Sequence, residues 1–334
     1  MLDYLLQYGL FLAKTVTVVA AIVLILASIG NLRRHLKEQA EEHLDIRHIN
    51  RRFEHMADAL FHALLSPQEF KQRMKGRKAE HKQRGKEARL GKAPKPRLFV
   101  LDFDGDLRAS AVDELRVEIS AILQVAGRQD EVLVKLESPG GMVHSYGLAA
   151  SQLRRLREGG VKLTAAVDKV AASGGYMMAC VADRIIAAPF AVLGSIGVVA
   201  QLPNFNRLLR QHNVDFELHT AGQYKRTLTL FGENTEEGRA KFREEIEEAH
   251  QLFKQFVRDN RPQVDIEQVA TGEHWYGRRA LELKLVDALQ TSDDYLLAAA
   301  KERDIFEVHY KARQPLPERL LQGLTKVWKR AQGF

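Results

Sequence analysis

The sequence predicts an α/β domain with a largely parallel sheet, preceded by a transmembrane helix. From Leu98 onwards, short β-rich runs alternate with amphipathic stretches of helical periodicity. Strands and helices that alternate along a chain favour parallel pairing through crossover helices. Before this pattern, Leu10–Ile29 is apolar apart from one lysine and three hydroxyl side chains. The 334 residues are 45% hydrophobic, which is enough to bury a full core.

Residues 1–30 are predicted to be an anchor that holds the chain in a lipid bilayer. Twenty helical residues span about 30 Å, the thickness of the hydrocarbon core. A cleaved signal peptide is one alternative, but its positive charge would precede a shorter apolar run. Here Arg33, Arg34 and Lys37 follow the run, which favours a retained helix over a signal peptide or a buried soluble helix.

Residues 31–96 are predicted to be a basic, partly helical linker. Apolar residues recur at helical spacing within Ile46–Leu65, which indicates a short amphipathic helix and a candidate oligomer contact. Ser66–Arg97 then carries twelve Lys and Arg against three Glu, whereas the rest of the chain is close to neutral. Pro94-Lys95-Pro96 disfavours helix on both sides. A folded domain is therefore predicted over residues 97–310, with an amphipathic tail over 311–334.

Within the domain the pattern predicts five strands and seven helices. The strands are Leu98–Phe103, Glu131–Leu136, Lys162–Val167, Arg184–Ala187 and Asp215–His219. The helices are Val112–Val125, Tyr146–Arg157, Gly175–Ala182, Asn204–Gln211, Thr235–Arg258, Ile266–Thr271 and Gly277–Lys284. Ile185–Leu202 is also apolar, but Pro189, Gly194 and Gly197 interrupt it, so buried strand and turn are predicted rather than a second membrane span.

Ser173 is the first candidate for chemistry. It follows a predicted strand and precedes Gly174, Gly175 and a short helical run. Unpaired backbone N–H groups at such a helix start favour developing negative charge, which suits acyl transfer. The plainer interpretation is an N-cap serine beside turn glycines.

Two further features support an acyl-transfer site. Ser138-Pro139-Gly140-Gly141 ends another strand, so its N–H groups, with one from the Ser173–Gly174 turn, could form an oxyanion hole. Lys225 could take the serine proton, but a lysine does this near pH 7 only where burial removes its charge. Lys225 is therefore expected to be buried. Taken singly, the first motif could be a tight turn and the lysine a solvated charge.

Four motifs follow one another along the chain: Ser-Pro-Gly-Gly at 138–141, Ala-Ser-Gly-Gly-Tyr at 172–176, Leu-Gly-Ser-Ile-Gly-Val at 193–198 and Tyr-Lys at 224–225. In this order they resemble the signal peptide peptidase A family of membrane-bound Ser/Lys proteases. The resemblance covers about residues 98–288 and is greatest to a branch with one catalytic unit per chain. The residues from Tyr8 to Lys14 and from Gly272 to Gly277 are also similar to that branch.

The resemblance implies a site, a fold and an assembly. Ser173 would be the nucleophile, Lys225 the general base, and Ser195 a hydroxyl that helps to hold the lysine amine. Gly140, Gly141 and Gly174 would supply the oxyanion hole. The implied fold is a ClpP/crotonase-like ββα spiral, assembled as a homo-oligomeric ring or dome. The implied substrates are signal-peptide remnants and other unfolded hydrophobic peptides, with no cofactor or metal.

The two guides to membrane sidedness disagree. Positive charge just after the apolar run predicts that the following residues stay in the cytoplasm. The family resemblance implies an inner-membrane protein of bacteria whose catalytic domain faces the periplasm. We expect the periplasmic location.

Three alternatives compete with a Ser/Lys peptidase. A Ser/His/Asp hydrolase could use His144 or His219, although no motif surrounds either residue. A crotonase-type acyl-CoA enzyme would suit the glycine loops but needs no Ser/Lys pair. A membrane-tethered binding or scaffold protein could act on nucleic acid or acidic lipid through residues 66–97. Only Phe70 interleaves that basic run, which disfavours specific nucleic-acid binding because base stacking needs aromatic residues.

Overall fold

A computed structural model describes residues 43–89 and 95–311 of the chain. The strands are β1 (His43–His48), β2 (Arg97–Asp104), β3 (Glu131–Glu137), β4 (Lys162–Val167), β5 (Val170–Ala172), β6 (Arg184–Ala187), β7 (Val192–Gly194), β8 (His274–Tyr276), β9 (Ala288–Leu289) and β10 (Asp304–Lys311). The helices are α1 (Ile49–Leu64), α2 (Pro67–Arg89), α3 (Val112–Val125), α4 (Val143–Glu158), α5 (Gly174–Ala179), α6 (Asn206–Gln211), α7 (Glu236–Asn260), α8 (Ile266–Val269), α9 (Gly277–Glu282) and α10 (Ser292–Ala299).

The larger of the two sheets has seven strands in the order β1-β10-β2-β3-β4-β6-β9. Every pairing from β10 to β9 is parallel, as the alternation of strands and helices predicts. Its central strands are almost continuously buried, since helices cover a parallel sheet on both faces. Four of the five predicted strands, at 98–103, 131–136, 162–167 and 184–187, are confirmed here.

A second sheet contains three short strands in the order β5-β7-β8. β4 leads into β5 and β6 leads into β7, so each of these large-sheet strands is followed directly by a small-sheet strand. After β3, Ser138 forms a parallel bridge with Ala171 of β5. The loops that leave β3, β4 and β6 are therefore brought together at the carboxyl ends of these strands.

The described segment from Ile46 onwards belongs to one compact unit, which spans residues 46–309. Ile49 is buried in a core cluster with Leu98, Val100 and Ile305. The side chain of Asn50 donates to the carbonyl of Arg303 at 2.9 Å and accepts the N–H of Ile305 at 2.7 Å. The boundary predicted at Pro94–Pro96 therefore does not separate this segment from the domain core.

The seven helices predicted within the domain are all present; Val112–Val125 has the predicted ends, and the ends of the other six are shifted. α1 confirms the amphipathic helix, and residues Pro67–Arg89 of the basic run form α2, a continuous helix of 23 residues. The greatest shortening is in α1, which has 16 residues where twenty were expected, whereas α5, α6, α8 and α9 are each two residues shorter than predicted. Of the segment predicted as buried strand and turn, Ile185–Leu202, the part up to Ile196 forms strands and turns and is mostly buried, whereas residues 199–202 are exposed and form no strand.

The strand predicted at Asp215–His219 is wrong. Residues 214–220 have no strand pairing, although Val214, Phe216 and Leu218 alternate with polar residues. These three side chains are all exposed, so no neighbouring strand or core covers the apolar face. The alternation alone was a misleading signal because a strand also needs a partner.

Among the described residues, no helix is both long enough and apolar enough to cross a membrane. The anchor predicted within residues 1–30 lies outside the described residues, as does the predicted amphipathic tail from residue 312 onwards.

Candidate active site

Ser173 stands in a backbone conformation that residues other than glycine rarely adopt. It follows β5 and precedes α5, with φ 52° and ψ −119°. A positive φ at serine costs on the order of 1–3 kcal/mol and persists only where the surroundings enforce it. Here its N–H donates to the carbonyl of Gly194 at 2.8 Å. Ser173 is half-buried and occupies the N-cap position of α5, but its hydroxyl makes no capping hydrogen bond, so the plainer interpretation does not account for it.

The Ser138–Gly141 loop lies directly against Ser173. The backbone of Ser138 hydrogen-bonds to Val170 and Ala172, the first and last residues of β5, and Gly140 has φ +92°. A Cβ on Gly140 would lie 2.7 Å from Cβ of Ser173 and 2.8 Å from the nitrogen of Gly174. Only glycine fits this contact. The two glycine motifs, separated in sequence, thus meet at one point of the fold.

The backbone N–H groups at this point are not equivalent. The N–H of Gly140 donates to Oγ of Ser138 at 3.1 Å. Within residues 43–89 and 95–311, the N–H groups of Gly141 and Gly174 have no acceptor. Of the three glycines predicted for an oxyanion hole, these two therefore have N–H groups to offer a ligand, while Gly140 supplies the close approach.

Ser195 lies one residue beyond the partner of Ser173. It follows β7, whose last residue Gly194 accepts the N–H of Ser173, and it also has a positive φ, of 52°. Its own N–H donates to the carbonyl of Glu273 at 2.7 Å. The structure thus places Ser195 next to the nucleophile candidate.

Lys225 is not brought to the other site residues. It lies in a turn closed by its N–H on the carbonyl of Gly222, and its side chain is exposed. No hydrogen bond or ion pair joins its ammonium to another residue in the described ranges. The expected burial is therefore wrong for the single chain. The reason is local, because residues 198–232 cover one another poorly and leave ten large apolar side chains between 199 and 231 exposed.

The histidine alternatives gain no support from their surroundings. His144 is exposed at the start of α4. His219 is also exposed, and its Nε2 lies 3.1 Å from a carboxylate oxygen of Glu217. No contact joins either imidazole to Ser173 in the described ranges, so neither residue is placed to take its proton.

The sequence interpretation missed Tyr146, which is completely buried beside the glycine loops. Its hydroxyl lies 2.6 Å from Oγ of Ser138 and donates to the carbonyl of Asp106 at 2.7 Å. Burial raises the pKa of the phenol, so it keeps its proton at neutral pH. The only sequence signal was its place in the first turn of a helix that follows the glycine pair.

One described trio has ligand atoms close enough together for a metal ion, namely Asp102, Glu307 and His309. Nζ of Lys135 lies 3.0 Å from Asp102, and Arg47 lies 3.9 Å from Glu307. Both carboxylates therefore already face cationic side chains. Burial alone would lower the pKa of Lys135, but the hydrogen bond and the charge of Asp102 outweigh burial and raise it. We interpret the trio as part of an ion-pair cluster on the sheet.

Comparison with known proteins gives the family of the chain. Residues 3–153 match the description "Peptidase family S49 N-terminal", and residues 155–305 match "Peptidase family S49". A probable protease SohB from Haemophilus influenzae is 51% identical over 324 residues, which cover 94% of this chain and 91% of that protein. The chain belongs to peptidase family S49, a serine protease family.

Other relatives carry the same name, which is that of the family branch the motifs indicate. A probable protease SohB from Buchnera aphidicola is 52% identical over 305 residues, covering 89% of this chain and all of that protein. Two solved structures of mutants of the 1510-N membrane-bound stomatin-specific protease align with TM-scores of 0.40 and 0.43, at 13% and 11% identity. They cover 62% and 70% of this chain, and 85% and 100% of their own.

Proposed function

We propose that the chain is a membrane-anchored serine endopeptidase in which Ser173 is the nucleophile and Lys225 the general base. The observation that carries the proposal is the strained backbone of Ser173, held against the Gly140 loop with two unpaired N–H groups beside it. Strain at a reactive side chain is typical of functional sites. The substrates that suit the family resemblance are signal-peptide remnants and other unfolded hydrophobic peptides.

The proposed reaction proceeds through an acyl-enzyme. Oγ of Ser173 attacks the peptide carbonyl while its proton passes to the neutral amine of Lys225. The N–H groups of Gly141 and Gly174 stabilise the oxyanion, a contribution of about 3–4 kcal/mol per donor in comparable enzymes. Lys225 then gives its proton to the leaving amine. Water, deprotonated in the same way, releases the acid and restores Ser173, while the Ser195 hydroxyl orients the lysine amine.

The proposed fold is the ClpP/crotonase-like ββα spiral. Support comes from the repeated connection in which a large-sheet strand, a small-sheet segment and a helix follow one another. β3 leads through Ser138 to α4, and β4 leads through β5 to α5. β6 leads into β7 in the same way, though no helix follows at once. Each repeat delivers one loop to the site.

The proposed assembly is a homo-oligomer, as a ring or dome, at the bacterial inner membrane with the catalytic domain in the periplasm. The exposed apolar side chains around Lys225 support self-association, because a second copy that covered them would also remove water from the lysine. A general base of this kind needs that desolvation. The predicted helix within residues 1–30 would keep the copies in one bilayer.

The full-length protein in detergent or nanodiscs tests this function on an unstructured apolar peptide between pH 6 and 10. Ser173→Ala and Lys225→Ala should both abolish cleavage, and the parent should lose activity towards low pH as its base becomes protonated. Lys301→Ala, at an exposed lysine before β10, is the matched control and should keep full activity.

Each failure has its own meaning. Activity retained by Lys225→Ala would mean that another group is the base. Activity retained by Ser173→Ala would exclude the proposed nucleophile. A folded parent that cleaves none of many peptides would favour the binding or scaffold role, for which the basic helix α2 is the available surface.

A further inference from the structure

A line of hydrogen bonds runs from the oxyanion loop into the core. The N–H of Gly140 donates to Oγ of Ser138 at 3.1 Å, and that oxygen lies 2.6 Å from the hydroxyl of Tyr146. The Tyr146 hydroxyl donates to the carbonyl of Asp106 at 2.7 Å. A phenol has one proton, so the Ser138 hydroxyl must donate to Tyr146. Every donor in the line is used, and the direction of each bond is fixed.

The far end of this line is itself held in place. The Asp106 carboxylate accepts the N–H of Ser110 at 2.8 Å and the N–H of Arg108 at 3.0 Å. The carbonyl of Leu107, in the same turn, accepts the N–H of Met142 at 2.9 Å. A Cβ on Gly141 would lie 2.2 Å from that carbonyl oxygen. The turn after β2 thus contacts the glycine loop after β3 from two sides.

The Tyr146 ring also contacts the other half of the site. A Cβ on Gly174 would lie 2.4 Å from Cγ of Tyr146, so the ring packs directly under the residue that follows Ser173. Ser138 and Tyr146 are both completely buried. One side chain therefore fixes the glycine loop through its hydroxyl and supports the nucleophile turn through its ring.

We propose that Tyr146 is a positioning residue that holds the Gly141 and Gly174 N–H groups in one geometry for the oxyanion, acting through Ser138. The inference rests on the proposed function, since it assigns Tyr146 a role in that reaction. Tyr146 does not contact the reacting atoms. Its hydroxyl holds Oγ of Ser138, which accepts the N–H of Gly140 and so fixes the orientation of the Pro139–Gly140 peptide group. The next peptide group carries the N–H of Gly141 and is oriented with it. Donors that are fixed before reaction stabilise the transition state more than the substrate.

The test compares two buried tyrosine hydroxyls in the full-length protein. Tyr146→Phe keeps the ring against Gly174 and removes only the hydroxyl. Tyr176→Phe is the matched control, because Tyr176 is equally buried and its hydroxyl donates to the carbonyl of Leu285 at 3.0 Å, away from the loop. We expect Tyr146→Phe to lower kcat by about 10- to 100-fold with KM little changed, less than the loss of a whole oxyanion donor. Tyr176→Phe should lower the melting temperature but leave kcat near the parent value.

Two further measurements separate positioning from general loosening of the core. A peptide aldehyde, which forms a tetrahedral adduct with a serine hydroxyl, should inhibit Tyr146→Phe less strongly than the parent by about the same factor as the loss in kcat. Ser138→Ala should reproduce the loss in kcat while leaving the Tyr146 ring unchanged. If Tyr146→Phe does not fold, Ser138→Ala alone tests the positioning role. The double variant should be no worse than either single one, because both interrupt one line of bonds.

The outcomes are distinguishable from failure of the proposed function. An unchanged kcat in Tyr146→Phe, an equal loss in Tyr176→Phe, or additive losses in the double variant would each overturn the positioning role. If Ser173→Ala keeps the parent's activity, the proposed nucleophile fails instead, whatever the tyrosine variants do.

Discussion

Gly174 shows at the residue scale how closely the nucleophile turn is packed. A methyl group there would meet the Tyr146 ring at 2.4 Å, and the ring is buried on all sides. We expect Gly174→Ala to lower the free energy of unfolding by about 1–3 kcal/mol, as overpacking of a rigid core does. Urea denaturation of the purified protein measures this change.

The control for that substitution is another glycine of the same neighbourhood. Gly147 lies within α4, where an added Cβ would meet nothing within 4 Å. Gly147→Ala should therefore raise stability by up to about 1 kcal/mol through helix propensity. If both substitutions changed stability alike, the contact between Gly174 and Tyr146 would not be the cause.

Asp130 carries a pH-dependent contribution to stability. Its burial disfavours the charge, but the Arg97 guanidinium and the N–H groups of Gly127 and Arg97 outweigh burial and hold the carboxyl pKa below its usual range. A carboxylate whose pKa is lowered in the native state stabilises the fold at pH values above its pKa in the unfolded chain, which is about 3.9. This contribution is lost as the pH falls through the native pKa. Asp130→Asn should therefore cost about 1–3 kcal/mol at pH 7 and progressively less below pH ~4.

Urea unfolding of parent and variant at several pH values between 7 and 3 measures that difference. Asp215→Asn, at an exposed carboxylate, should change stability by less than about 0.5 kcal/mol throughout. A difference for Asp130→Asn that grew towards acid pH would reverse the assigned sign.

At this scale, sequence reasoning could identify the residues whose chemistry is local. Consecutive glycines after a strand indicated close backbone approach, and Gly140 and Ser173 do meet. Tyr146 and the exposure of Lys225 could not be predicted in this way. The first depends on which loop a helix faces, and the second on what covers an irregular segment, so both are properties of tertiary contacts.

The first helix is the element whose role the sequence least indicated. Ile49 opens α1 and is buried against Leu98 and Ile305, although about fifty residues of predicted linker and basic helix separate it from the domain. Ile49→Ala should lower the free energy of unfolding of the whole unit by about 2–5 kcal/mol. Leu60→Ala, in the same helix but 65% exposed, should cost less than about 0.5 kcal/mol.

Chemical denaturation followed by tryptophan fluorescence can test this, since Trp275 lies in β8, far along the chain from α1. Equal and small effects of both substitutions would mean that α1 unfolds apart from the sheet. The same contacts bear on truncation, because a fragment that began at Pro94 would lose both Ile49 and the Asn50 hydrogen bonds.

The length of each strand explains only part of the accuracy of prediction, because β1 and β10, with six and eight residues, were not predicted. The four strands of the large sheet that were predicted have four to eight residues and continuous apolar runs. β5, β7 and β8 have three residues each and β9 has two, too short for a period to be visible. Asp215–His219 had the period but no partner strand.

At the scale of the whole molecule, the segment around Lys225 poses the main physical question. Residues 199–231 expose ten large apolar side chains, led by Val199 at 81%, and they carry the proposed base in solvent. Apolar area costs about 25 cal/mol per Å² while it stays in water, so a second copy that covered this surface would be favoured. The same contact would desolvate the lysine, which links assembly to activity in the proposed function.

A charge placed at Val199 tests that link. Val199→Asp should weaken self-association because an unpaired carboxylate would have to be buried in the contact. Its specific activity should fall in parallel, most strongly at low protein concentration. Leu297→Asp, on the exposed face of α10, is the control and should change neither. Sedimentation velocity in detergent gives the oligomeric state, and peptide cleavage on the same samples gives the activity. If Val199→Asp dissociates the protein without loss of activity, Lys225 acts as the base in the single chain, and residues of that chain must then cover it. If Val199→Asp does not dissociate the protein, another surface holds the copies together.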